Sequence, residues 1–163
     1  SFLVLVLLPV LASAHYLWAR AADQYASRVA FSVRTEEASS AIELLGGVTE
    51  LSGSSSSDTD ILFDFLQSQG LVARIDDSLD LAGMWSRPVD DVVFGFDPNG
   101  TIEDLLRHWL RMVQIAYDTS TGLIDIRVLA FAPGDAQAIA AQIQQESTRI
   151  INELSDIARN DAI

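Results

Sequence analysis

The stretch "VQIAYDTSTGLIDIRVLAFAPGDAQAIA", residues 113–140, decides the fold class. Its two runs rich in β-branched and aromatic residues, "VQIAYD" and "GLIDIRVLAF", flank the turn Thr119-Ser120-Thr121-Gly122, which predicts an antiparallel hairpin. In the second run Ile124, Ile126 and Val128 alternate with Asp125 and Arg127, so one face of the strand is apolar and the other polar. After Pro133-Gly134-Asp135 the period changes from that of a strand to that of a helix. Ala140, Ser147 and Leu154 then recur at heptad spacing, as do Ile143, Ile150 and Ile157, giving an a/d-like seam that is still running at Ile163. Residues 135–146 read as an amphipathic helix lying on the sheet. For the remainder, the same amphipathic helix on the sheet and continuation into a long helix or coiled coil are equally compatible with the pattern.

Working upstream, Asp97-Pro98-Asn99-Gly100 is a turn, and Thr101 with Asp104 resembles a capping box with Asp in place of Glu. A helix is predicted from Ile102 to Met112, with Leu105, Leu106, Trp109 and Met112 or Val113 facing the core. Leu81, Met84 and Trp85 suggest a short helical turn closed by Pro88. Ile61, Leu62, Phe65, Leu66, Val72 and Ile75 form a helix-spaced stripe, capped by Asp58 or Thr59 and loosened or broken in two at Gly70. Residues 36–57 are mixed, with a short helix in "EEASSAIELLGG" and a low-complexity Gly/Ser loop in "LSGSSSSD". Tyr25, Ser27, Val29, Phe31 and Val33 alternate with Ala26, Arg28, Ala30, Ser32 and Arg34, predicting a strand over residues 25–34.

Residues Phe2 to Ala19 carry no charged side chain, a run of about 18 residues that reaches the length needed to span a bilayer. Ala12-Ser13-Ala14 imitates a signal-peptide cleavage site, but an h-region is usually only about 7–15 residues long. Tyr16, Trp18 and Arg20 then stand where interfacial aromatics and a first charge belong, which favours an uncut membrane helix. Pro9 is tolerable inside such a helix, and His15 reaches the headgroup region near Arg20. The chain starts within this apolar run and ends within a helical pattern, so it reads as a segment of a longer protein.

The expected architecture is α+β. Residues 1–20 form a transmembrane helix and residues 21–135 an α/β domain with a small, mainly antiparallel sheet. Residues 136–163 form a helix packing on that domain and leading towards a coiled coil.

The net charge of −13 comes from 23 acidic residues against ten basic ones, all arginine. A surface this acidic repels phosphate backbones and anionic headgroups, so nucleic-acid binding is disfavoured. There is no cysteine, which excludes thiol catalysis, disulfides and thiolate metal sites.

Catalysis needs acid, base or nucleophile groups brought together, and neither a G-x-S-x-G elbow nor H-E-x-x-H occurs. His108 lies on the helix 102–112 between core positions and reads as a surface or boundary residue, not a general base. Gly47 to Gly53 has the wrong spacing for a phosphate loop, and no lysine follows it. The acids Asp76, Asp77, Asp80, Asp90 and Asp91 read as solvated loop carboxylates. Asp97, Asn99 and Gly100 place glycine too early for an EF-hand, so no metal and no cofactor is assigned.

The order of these segments resembles a known family. An apolar helix is followed by "YASRVAFSVR", the loop "LLGGVTELSGSSSSD", the helix "ILFDFLQSQGLVARI", residues 101–143 with "FAPGDAQAIA", and the helix "NELSDIA". This layout is similar to the capsule polysaccharide export inner-membrane proteins, relatives of the Wzz-type chain-length determinants and together called polysaccharide co-polymerases. The resemblance implies a non-enzymatic bacterial inner-membrane protein with a periplasmic α/β domain, a long helical hairpin and a second transmembrane helix. It also implies a homo-oligomeric ring that works with the permease and ATPase subunits of an ABC transporter, an outer-membrane polysaccharide export protein and the polysaccharide itself. No catalytic residues come with the family. A chain-length determinant for O-antigen or exopolysaccharide shares the same layout, and a membrane-anchored periplasmic sensor or ligand-binding domain is the alternative from another class.

Overall fold

The computed structural model describes residues 2–32, 54–88, 91 and 93–161, with the side chains of 54–58 and 158–161 left aside. Its elements run α1 (Phe2–Ala19), β1 (Tyr25–Ser32), α2 (Ser54–Leu66), α3 (Gln69–Leu79), α4 (Leu81–Trp85), α5 (Ile102–Met112), β2 (Val113–Asp118), β3 (Leu123–Ala130) and α6 (Pro133–Asp161). The expected α+β class is borne out: an apolar first helix, a small antiparallel sheet and a long last helix.

The sheet has the order β1-β3-β2, with both pairings antiparallel. Register follows the apolar alternation. Val29, Ile126 and Ile115 stand side by side on one face, as do Phe31, Ile124 and Tyr117. A slip of one residue would turn this whole set to the other face. Gly122, at φ 66°, supplies the left-handed residue that closes the hairpin. The opposite face carries Arg28, Arg127, Asp125 and Gln114 and is exposed.

Helices cover the apolar face. α6 lies along β1 and β3, α5 reaches β2 and β3, and α3 packs against α5 and α6. Leu62, Leu66, Leu71, Ile75, Trp85, Trp109, Ile124, Ile126, Ile139 and Ile143 are all fully buried in one cluster. Two indoles fasten this core by their ring N–H groups: Trp85 donates to the Leu129 carbonyl at 3.2 Å and Trp109 to the Leu66 carbonyl at 3.0 Å. An indole inside a core needs such a partner, because a buried unpaired donor is costly.

The predicted α5 and its capping box are present. The Thr101 hydroxyl accepts from the Asp104 amide, and the Asp104 carboxylate accepts from the Thr101 amide at 3.1 Å. Glu103 and Asp104 at its start and Arg111 at its end complement the helix dipole.

Several expectations need correction. α2 starts at Ser54 rather than at an Asp58 or Thr59 cap, so part of the expected Gly/Ser loop is helical. Thr59 is buried within α2, and packing of α2 against α3 and α6 overrides the weak helix preference of its serines. The break between α2 and α3 falls at residues 67–68, not at Gly70: Ser68 caps α3 by accepting from the Leu71 amide at 3.2 Å, and Gly70 lies inside the helix. Asp76 and Asp77 are not loop acids but belong to α3. Asp80, at φ 57°, ends α3 and caps α4, accepting from the Gly83 amide at 3.1 Å. Asp76 accepts from the Ala82 amide at 3.0 Å, so these carboxylates serve the chain reversal itself. The Gly47 to Gly53 stretch, the short helix proposed in residues 36–47, Val33, Arg34 and Asp90 lie outside the described residues.

Candidate membrane-boundary site

No residue of α1 is fully buried against the rest of the chain, and its 18 residues with a mean hydropathy of 2.0 meet the length and composition of a membrane span. Its end is closed by the Arg20 and Ala21 amides, which both donate to the Tyr16 carbonyl at 2.9 and 3.0 Å. The backbone then runs through residues 21–24 into β1, so the first strand of the sheet follows the helix almost directly.

The three residues read as an interfacial set diverge here. Trp18 is 95% exposed, and Arg20 is exposed without an ion-pair partner among the described residues. Tyr16 is half-buried and turns towards the domain, where its hydroxyl donates to the Asp91 carboxylate.

Asp91 is the centre of this site, and it corrects the reading of the acid pair as solvated. It is only 2% exposed. Its Oδ1 accepts from the Tyr16 hydroxyl and from the amides of Val93 at 3.2 Å and Phe94 at 2.9 Å, while Oδ2 accepts from the Ala22 amide at 3.0 Å. The Gly95 amide closes the turn onto the Asp91 carbonyl at 2.8 Å. A Cβ at Gly95 would stand 2.6 Å from that carbonyl oxygen, so only glycine fits. Burial pushes the Asp91 carboxyl up, but the hydrogen bonds from Tyr16, Phe94, Ala22 and Val93 outweigh it and hold the group below its ordinary value. An ionised carboxylate taken out of water needs this many donors. The site therefore joins both sides of the α1–β1 connection to the loop before α5.

The sequence carried a signal for Asp91. In "RPVDDVVFGF" an acidic pair interrupts an apolar run between Pro88 and Gly95. A carboxylate embedded that way is either held by donors or driven out of the fold.

His108 also departs from its expected place at the surface. It is buried, with its ring centroid 5.1 Å from that of Trp85 and 5.5 Å from that of Phe96. Burial, with the Arg111 charge second, lowers its pKa from 6.5 to about 4. Arg111 Nη2 lies 2.9 Å from Nδ1, which fits an Nδ1 that accepts and a neutral ring. Nε2 has no hydrogen-bond partner among the described residues. Among the described residues no carboxylate orients this ring, so the geometry is that of a packed aromatic rather than a base beside a nucleophile.

Among the described residues no three His, Asp or Glu side chains converge as a metal-binding group. A groove of about 280 Å³ beside the free edge of β2 is lined by Phe63, Gln67, Leu110, Val113, Gln114 and Ile115, none of them titratable.

No protein-family model matches the chain. Curated relatives do match it. It is 28% identical over 162 residues to the capsule polysaccharide export inner-membrane protein BexC of Haemophilus influenzae, covering 97% of this chain and 43% of that protein. To the capsule polysaccharide export inner-membrane protein CtrB of Neisseria meningitidis serogroup A it is 25% identical over 168 residues, covering 99% of this chain and 43% of the relative. The capsule polysaccharide export inner-membrane protein KpsE of Escherichia coli is 30% identical over 108 residues, 66% of this chain and 28% of its own length. The chain thus spans less than half the length of these relatives. The resemblance read from the order of its segments is borne out, and it runs from the apolar helix into α6.

Proposed function

We propose that this chain is the membrane-anchored base of a non-enzymatic inner-membrane component of capsular polysaccharide export. The observation that carries the reading is the similarity to BexC and CtrB along nearly the whole chain. In this proposal residues 1–20 cross the inner membrane, with Tyr16, Trp18 and Arg20 at its outer interface. Residues 21–135 form the periplasmic domain, and residues 136–163 lead towards a coiled coil. Copies associate as a ring that links the permease and ATPase subunits of an ABC transporter to an outer-membrane polysaccharide export protein.

The mechanism is steric and mechanical. Asp91 ties the domain to the end of the membrane helix, so movement at the membrane is passed to the sheet instead of being lost in a slack connection. α6 is anchored on the sheet by Ile139 and Ile143 and carries the motion outward along one continuous helix. A net charge of −13 suits a conduit that does not retain an acidic polymer.

The test is deletion of the gene in its native host, followed by polymer localisation and sizing. Polymer trapped inside the cell is the expected result. Polymer still on the surface with altered chain lengths would replace this reading with a chain-length determinant.

A further inference from the structure

We infer that the turn at Val93 and Phe94 is a second membrane contact, inserting into the lipid headgroup and acyl boundary beside the point where α1 leaves the bilayer. The inference rests on the reading of α1 as a membrane span and adds a surface to it.

The geometry starts from one atom. Asp91 Oδ1 accepts at once from the Tyr16 hydroxyl, the Val93 amide and the Phe94 amide. Groups that share one acceptor lie within roughly 6 Å of one another, so the turn is held against Tyr16. Whatever depth Tyr16 occupies at the bilayer surface, the backbone of Val93 and Phe94 occupies nearly the same depth.

The side chains of that turn point outward. Val93 is 49% exposed and Phe94 40% exposed, whereas Phe96 just beyond them enters the core. Their amides hold the turn on the Asp91 carboxylate in the conformation that leaves these side chains exposed. Single exposed apolar residues are ordinary on protein surfaces. This pair is set apart by being the only two consecutive large apolar residues exposed outside α1 among the described residues, and by its bond to the membrane helix. With the chain at −13, attraction to anionic headgroups cannot supply the contact, so its chemistry is apolar and independent of lipid charge.

The absence of cysteine makes the test direct. Full-length chain carrying Phe94→Cys, Val93→Cys, Leu8→Cys or Thr119→Cys is labelled with a polarity-sensitive fluorophore. Each variant is reconstituted in zwitterionic phosphatidylcholine vesicles containing nitroxide lipids of shallow or deep label position. Thr119 serves as the dry-land control, because β1 runs away from α1 and Ser32 at its far end pairs with Leu123 beside the hairpin turn. That end lies roughly 23 Å from Tyr25.

Labels at positions 93 and 94 should be blue-shifted and quenched at least threefold more by shallow nitroxides than the label at 119, with Leu8 quenched by deep ones. Equal quenching at 93, 94 and 119 with Leu8 still quenched would overturn the inference and leave the membrane span standing. A blue shift at 93 and 94 without lipid quenching would overturn it too, by showing that protein covers the turn. An unquenched Leu8 would remove the membrane span and the inference together.

Discussion

The Tyr16 hydroxyl of α1 donates to the carboxylate of Asp91, 75 residues further along the chain, and the same carboxylate takes the Ala22 amide on the far side of the helix end. The backbone of residues 20–24 is the covalent joint between α1 and the domain. Here a second, non-covalent joint crosses the same point, and it is carried by one side chain.

Asp91→Ala removes the acceptor for three backbone amides at once. Leaving buried donors unpaired costs about 1–3 kcal/mol, which denaturant titration of the full chain should register as lost stability. Amide exchange should quicken at Ala22, Val93 and Phe94 together. Tyr16→Phe, by contrast, should leave the Val93 and Phe94 amides protected and loosen only the tie to α1. Unchanged exchange at Ala22 in Asp91→Ala would contradict the joint.

His108 and Asp91 predict two separate pH windows. The folded pKa of His108 is depressed from 6.5 to about 4, so between those values the unfolded chain holds a proton that the folded one does not. Stability from this group is full above 6.5 and falls as pH drops towards 4. Asp91 is also held below its ordinary value, so its contribution is present above about 3.9 and is lost only as pH falls through its lower folded pKa. His108→Phe keeps a ring between Trp85 and Phe96 and should flatten the upper window alone. Thermal midpoints from pH 7.5 to 4.5 measure this, and a wild-type slope retained in the variant would refute it.

What the sequence displayed were features decided by neighbours. The turn of the hairpin 113–130, α5 and the Thr101–Asp104 box rest on residues within a few positions of each other, and the hairpin then pairs outward from its turn by alternation. For His108 polarity suggests the surface while spacing points inward: Leu105, His108, Trp109 and Met112 follow the i, i+3, i+4, i+7 stripe, and all four are buried. The Tyr16–Asp91 joint was hidden for another reason, since no local pattern encodes a partner 75 residues away. The α2–α3 break went to Ser68 because a hydroxyl that caps α3 outweighs a glycine that merely weakens it.

Arg28 and Arg127 are direct cross-strand partners on the exposed face of the sheet, and neither has an ion-pair partner among the described residues. Like charges opposite one another destabilise a strand pair. Arg127→Thr removes the repulsion and supplies a β-branched residue, so it should raise stability by about 0.2–1 kcal/mol. The gain should shrink in high salt, where the repulsion is already screened. Denaturant titrations at two ionic strengths decide it, and a loss of stability at low salt would show that the pair is not repulsive in the folded sheet.

The seam along α6 changes its role along its length. Ala140, Ile143 and Ser147 are buried on the domain, Ile150 and Leu154 are half-buried, and Ile157 is 57% exposed although it keeps the same heptad position as Ile143. At that exposure Ile157 contributes little to the domain's own stability. Ile143→Ala should cost about 2–5 kcal/mol, the range for emptying a core site. Ile157→Ala should stay within about 0.5 kcal/mol of wild type, as a surface change does. If the free end of the seam pairs with another copy, Ile157→Asp should weaken self-association of the full chain, seen by sedimentation, while leaving the unfolding midpoint of the dilute protein unchanged. Association equal to wild type would confine the seam's role to the domain surface and remove α6 from the proposed ring contacts.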